Sequence, residues 1–148
     1  MDIVEVIARA EAQGKPQPHP ASPSEVITHQ ATYFKAVGAQ PPLLLSKLLA
    51  VADGLLVNDL IIYGTQTRQS PEGRELLSLT DAWEQLGPQH GPDGQTLFVI
   101  GEDEGVLLAH DPAADTWLAV DRGDGSVRET YPDFDALLAD RLGPSLAA

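Results

Sequence analysis

Few side chains in this sequence could do chemistry, and their spacing argues against most of it. Histidines stand at His19, His29, His90 and His110, none in a His-Glu-x-x-His or comparable ligand spacing. There is no cysteine to complete a thiolate zinc site. His110 closes an apolar run and reads as a strand-end residue with its ring satisfied by neighbours. Glu102, Asp103 and Glu104 make a run of carboxylates. Acid–base pairs usually come from separate elements facing each other across a cleft, so this run reads as a solvated hairpin turn. The stretch Asp121-Arg122-Gly123-Asp124-Gly125 resembles a calcium loop. An EF-hand needs a bidentate Glu at its twelfth position, and counting from Asp121 that position is Pro132. Gly101 and Gly105 enclose three acids, which would repel a phosphate. No nucleophile elbow, P-loop or dinucleotide fingerprint occurs. The expectation is a protein that is not an enzyme, with neither cofactor nor metal.

Composition narrows the class. A chain of 148 residues with 43% hydrophobic content suits one domain with a packed core. The absence of cysteine removes a disulfide framework and leans towards a reducing compartment. No apolar run reaches transmembrane length, and the first residues, MDIVEVIARAEAQ, lack the basic start of a signal peptide. A cytoplasmic location is the default expectation. Net charge is −13. Basic residues number nine and do not cluster, so neither nucleic acid nor an anionic membrane is an expected partner. The acids concentrate after Gly101, a face suited to a basic partner or simply to solubility.

The positions of these residues depend on the elements around them. The organising stretch is Pro41–Gly64, PPLLLSKLLAVADGLLVNDLIIYG. The prolines can open a helix, and Leu44, Leu45, Leu48, Leu49 and Ala52 keep helical spacing. Asp53-Gly54 then stops it, with Gly54 suited to a left-handed cap, and Leu60–Tyr63 follows as a buried strand. Upstream, Asp2 and Glu5 suit a capping box for a helix over residues 1–13 striped by Ile3, Val6, Ile7 and Ala10. That helix is expected to pack loosely as an extension, joined by a proline-rich connector over 14–23 to a core over 24–142. Ser22-Pro23-Ser24-Glu25 opens the next helix, whose expected buried stripe is Val26, Ile27, Ala31, Phe34 and Val37.

Thr65–Ser78 reads as a long surface loop, and Asp81 with Glu84 as the cap of a short helix. Then Thr96–Ile100, Val106–His110, Thr116–Val120 and Ser126–Tyr131 are four strand-length runs joined by turn formers. Short links make them antiparallel neighbours. The first is apolar on both faces and belongs at the centre; the last alternates and belongs near an edge. Asp124-Gly125 suits a two-residue hairpin turn. Pro132–Leu142 closes the chain as a helix ended by Gly143-Pro144. The predicted fold is α+β: N-terminal helices, an antiparallel meander of about four to five strands, and a C-terminal helix packed on the sheet.

On these residues the chain resembles the SUKH superfamily, in its YrhA-like branch. Pro42 supplies the family's proline, Leu48 and Leu49 its apolar pair, and Asp53-Gly54 the turn that is Asn-Gly elsewhere in the family. The run VNDLIIYG follows in place, and LFVIGEDEGVLLAHDPAADTWLAVDR resembles the central strands. Tyr131-Pro132-Asp133-Phe134 resembles the opening of the last helix. Leu45 stands where the family usually has an aromatic. The resemblance spans roughly residues 24–142. It implies a single SUKH-like domain acting as an immunity protein of a polymorphic toxin system: one that binds a cognate secreted toxin domain, such as a nuclease or deaminase, and neutralises it inside the producing bacterium. The alternative is a regulatory or scaffold protein-binding module of the same fold. Charge and turn position nominate the partner-binding residues: Asp53, Asn58, Asp59, Tyr63, Glu102, Asp103, Glu104, Asp121 and Asp124. A basic toxin domain would suit them. Trp83 or Trp117, where exposed, would anchor such an interface.

Overall fold

The computed structural model describes residues 1–147. Helix α1 (Ile3–Ala12) is capped by Asp2, whose carboxylate accepts the N–H groups of Val4 (3.0 Å) and Glu5 (3.3 Å). Glu5 does not return the bond; it pairs with Arg9 one turn on, at 3.2 Å. Ile3, Val6, Ile7 and Ala10 are all buried in the main core, so α1 packs as firmly as the rest. In α2 (Pro23–Val37) the capping box is complete: Ser22 Oγ accepts from Glu25 N–H, and Glu25 accepts from Ser22 N–H at 2.8 Å. Gly38 ends the helix at φ +75°. Between these helices the proline-rich strap lies across the fold. Gln17 uses its side-chain amide as a missing strand would, accepting from Leu56 N–H (3.0 Å) and donating to Leu56 C=O (2.7 Å).

The buried face of α2 is not the expected one. Ile27 is 64% exposed and Phe34 51%, Ala31 is exposed too, and the face turned inward carries His29 and Tyr33. Both sets recur at helical spacing, so periodicity shows that a face exists without choosing between them. Tyr33 wins because it meets Phe98 edge-on at 4.8 Å and hydrogen-bonds His110.

Helix α3 (Leu43–Val51) buries Leu44, Leu45, Leu48 and Leu49. It does not end on a left-handed Gly54: Ala52 is already extended (φ −148°), and Gly54 lies two residues further on. Glycine is required there for a different reason. At φ +102° a Cβ would stand 2.7 Å from the carbonyl oxygen of Ile62. The expected single strand is a hairpin of β1 (Leu55–Val57) and β2 (Leu60–Ile62), turned by Asn58-Asp59 with Asn58 at φ +55°.

The expected loop over 65–78 contains a small hairpin, β3 (Arg68–Gln69) with β4 (Glu75–Leu76). Helix α4 (Leu79–Leu86) begins at a Ser78 cap, three residues before the Asp81 expected to cap it. The remaining strands are β5 (Gln89–His90), β6 (Thr96–Asp103), β7 (Val106–Asp111), β8 (Thr116–Asp121) and β9 (Val127–Tyr131). Helix α5 (Phe134–Leu142) is capped by Asp133, and a single turn, α6 (Pro144–Ala147), follows it and buries Leu146.

The sheet runs β1-β2-β6-β7-β8-β9, antiparallel throughout, with β5 also paired to β6. Its seven strands exceed the four to five expected because β1 and β5 are too short to register as runs. The class is α+β with a C-terminal helix, and β6 is central and β9 an edge as their patterns required. Phe98, His110, Trp117 and Tyr131 are successive cross-strand partners and form one row across four strands. Helices close on that row. Tyr33 of α2 and Trp83 of α4 meet Phe98, and Phe134 of α5 stacks on Trp117 at 5.1 Å. Trp117 is therefore core, and Trp83 half-buried against the core.

Candidate functional site

Antiparallel pairing brings the charged turns together. Strand β6 runs towards Glu104, and β2 runs back beside it with Ile61 opposite Glu102. The Asn58-Asp59 turn, the Glu104-Gly105 turn and the 122–125 loop therefore all lie at the same end of the sheet. The 104–105 connection is a two-residue turn between paired Asp103 and Val106. The 122–125 loop is longer than the expected Asp-Gly turn. Only Gly125 takes a positive φ (+75°), and the loop closes through Asp121 N–H to Ser126 C=O at 2.8 Å. Arg122 N–H donates to Gly105 C=O at 3.0 Å, joining two of the turns.

The nine nominated residues divide into three groups. Asp53 and Tyr63 are buried, 3% and 2% exposed, and are not available to a partner. The Asp53 carboxylate accepts from Thr65 N–H (2.7 Å) and Thr65 Oγ1 (2.9 Å) and pairs with Arg68. It braces the start of β1 against the residues that follow β2. Tyr63 donates to Glu102 at 3.1 Å. Burial, reinforced by the Glu102 charge, pushes its phenol well above the ordinary value.

A second group is at the acidic end but already paired. Glu102 is a strand residue rather than a turn residue, held by Arg122 (3.3 Å) and Arg74 (3.4 Å). Asp103 lies 3.6 Å from Arg141 of α5. Asp121 accepts from the N–H groups of Gly123 and Asp124 and pairs with Arg128. Those backbone bonds lower its pKa first, with Arg128 adding to them.

The third group is free to meet a partner. Asn58, Asp59, Glu104 and Asp124 are exposed. Asp124 accepts only from Ser126, which lowers its pKa. Among the described residues, the carboxylates of Asp59 and Glu104 have neither hydrogen bond nor ion pair. The usable acidic surface is thus smaller than the run of acids in the sequence. Arg74 and Arg141 reach it from β3–β4 and α5, elements distant in sequence, and no local pattern pointed to them as counter-charges.

Two other polar groups were candidates for chemistry. His110 lies between Tyr33 and Asp115, with Nε2 3.0 Å from the Asp115 carboxylate, and its ring stacks on Trp117 at 4.4 Å. Tyr33 is fully buried, while Asp115 at the other end of this array is 88% exposed. His29 borders a cleft of about 250 Å³ lined by Ser24, Thr28, Thr32, Thr65 and Thr80 among others. Its two ring nitrogens are unpartnered and sealed from solvent, so a molecule in the cleft would not reach them. Burial lowers the His29 pKa to about 4. Among the described residues, no group of three His, Asp or Glu side chains is placed to hold a metal ion. In sequence comparison, no protein-family model and no curated protein matches the chain.

Proposed function

We propose that this chain is a non-enzymatic binding protein, and specifically an immunity protein that neutralises a cognate toxin domain through the acidic end of its sheet. The observation that carries the reading is the convergence of three turns presenting Asp59, Glu104 and Asp124, exposed and without basic partners, on one rigid sheet. Carboxylates on short turns lose little freedom on binding, and a single-sign patch steers a basic partner and raises its association rate. The SUKH resemblance supports a toxin as that partner.

The test begins with the tagged protein in its native host, recovering what co-purifies at low and at high salt. A basic toxin domain released by salt is the expected result. Its association rate should then fall about tenfold or more in the triple variant Asp59→Lys, Glu104→Lys, Asp124→Lys. A salt-insensitive complex, or an unchanged rate, overturns the acidic-end interface. A non-toxic cytosolic partner captured through the same residues would replace the immunity reading with the regulatory one.

A further inference from the structure

The two ends of the strand order are finished differently. At β1 the outward N–H and C=O of Leu56 are both taken by the Gln17 side chain. At β9 nothing takes that place. Asp121 N–H bonds Ser126 C=O on the β9 side of β8, and Arg122 N–H bonds Gly105 C=O on the other side. Backbone groups alternate in this way along an antiparallel strand. The irregularity after Ala119 adds its extra residue, Arg128, to β9, so the alternation along β8 holds. Ala119 and Trp117 therefore point at β9, and their partners Glu129 and Tyr131 point back. Thr130, between those two, turns its N–H and C=O away from the sheet. Among the described residues, nothing bonds either group. Helix α5 does not close this edge. Phe134 stacks on Trp117 and Arg141 reaches Asp103 of β6, so the helix lies across the face of the sheet. Arg128, Glu129 and Thr130 are exposed.

We propose that β9 is a strand-addition site, and that its occupant is an extended segment of another protein that pairs antiparallel with β9 and carries lysine or arginine at its C-terminal end. In this mode of recognition backbone pairing supplies affinity and side chains supply selection. The charges along β9 are already met within the fold, Arg128 by Asp121 and Glu129 by Arg141. The carboxylate left without a base is that of Asp124, in the loop that leads into β9. An antiparallel strand continues a sheet that is antiparallel throughout and brings its last residues beside that loop. A second copy fits worse. Two β9 strands related by a two-fold axis pair about a residue that faces itself. At the middle of the strand this sets Glu129 on Glu129, and one position earlier Arg128 on Arg128, both like-charge contacts. One position later, at Thr130, it brings Pro132, which has no N–H to donate, opposite Arg128. Each copy also carries a net charge of −13. The inference extends the acidic-end reading, from which it takes the basic character of the partner.

The probe is a labelled synthetic peptide of about eight residues, threonine and valine in alternation with lysines at its C-terminal end. Fluorescence anisotropy on the full chain should show binding, and the same peptide ending in glutamates should bind about tenfold more weakly or less. Methylating the peptide's backbone nitrogens removes its donors and keeps its side chains and charge, and should weaken binding about tenfold or more. Thr130→Pro removes the outward N–H without touching a bond to β8, and proline is tolerated at such a position of an edge strand. That variant should keep its thermal transition and lose peptide affinity about tenfold. Should it fail to fold, the methylated peptide still decides. No binding of the lysine peptide, equal affinity for its methylated form, or indifference of a folded Thr130→Pro protein overturns the proposal. So does concentration-dependent dimerisation that Thr130→Pro abolishes, which would make the occupant a second copy. With the partner recovered from the host, Thr130→Pro should speed dissociation, whereas the Asp59, Glu104, Asp124 triple variant slows association. A partner affected only by the triple variant keeps the acidic end and overturns the strand-addition site, and one affected only by Thr130→Pro does the reverse.

Discussion

A carboxylate withdrawn from water has to find replacement partners inside the fold, and Asp53 finds three, on Thr65 and Arg68. Its side chain is 1% exposed while that of Arg68 is 30% exposed, so one charge is sealed and the other is half wet. Removing a buried partner costs about 3–5 kcal/mol because the remaining charge loses its compensation. The partial solvation of Arg68 places Asp53→Ala at the lower end, about 3 kcal/mol, or roughly 10 °C in Tm for a chain of this size. Asp53→Asn keeps an acceptor for Thr65 N–H and should lose about half as much. Thermal and urea unfolding of both variants measure this. A loss below about 1 kcal/mol in Asp53→Ala would show that the brace contributes no more than an exposed ion pair. This residue was nominated as a binding group because an acid in a turn usually faces water. The arginine that draws it inward lies 15 positions later, and nothing local reveals it.

Elements were legible where the sequence carries their start and stop signals. Asp2 and Ser22 announced two helix starts, Gly143-Pro144 the end of a third helix, and four apolar runs with turn formers between them announced the meander. Apart from β2, elements of two or three residues were not legible: β1, β3, β4 and β5 are stabilised by pairing across the chain rather than by their own pattern. For the same reason the turn ends of the sheet could be listed but not ranked, since Arg74 and Arg141 decide which acids remain free. The contact of β2 with β6 shows how tightly such pairing can bind a residue choice. Gly101 has no positive φ, yet a Cβ there would stand 2.3 Å from the carbonyl oxygen of Ile61. Gly105 has open space around it and only its φ of +73° to satisfy. Gly105→Ala should therefore cost about 1 kcal/mol, the penalty of a side chain in the left-handed region. Gly101→Ala should cost about 1–3 kcal/mol or more by forcing the strands apart. It should also speed hydrogen exchange at Tyr63, whose N–H bonds Ile100 C=O at 2.9 Å next to that contact. Equal costs for the two variants would disprove the steric account.

For the molecule as a whole, stability at mildly acid pH sets the dense acidity against the buried, unpartnered His29. Carboxylates as a class titrate mainly below about pH 5, so between pH 7 and 5 their repulsion within a body of net charge −13 changes little. Histidines change in that interval, and His29 is sealed among helix and sheet with a pKa of about 4 against an ordinary 6.5. Asp53 is the charge that acts on it, and it works against the shift without overcoming burial. A base whose pKa falls on folding binds fewer protons in the native state than in the unfolded chain. Its contribution is present in full above pH 6.5 and is lost as pH falls towards 4. By pH 5 the loss reaches about 2 kcal/mol. His29→Leu removes the titration, and with both ring nitrogens unpartnered it gives up no hydrogen bond. Urea unfolding at intervals from pH 7.5 to about pH 5 should therefore show a falling stability for the native sequence and a flatter profile for His29→Leu, the two differing least at pH 7 if leucine fills the site as well as imidazole. Parallel profiles would mean that His29 takes up its proton in the folded protein, which the sealed face of α2 does not permit without opening.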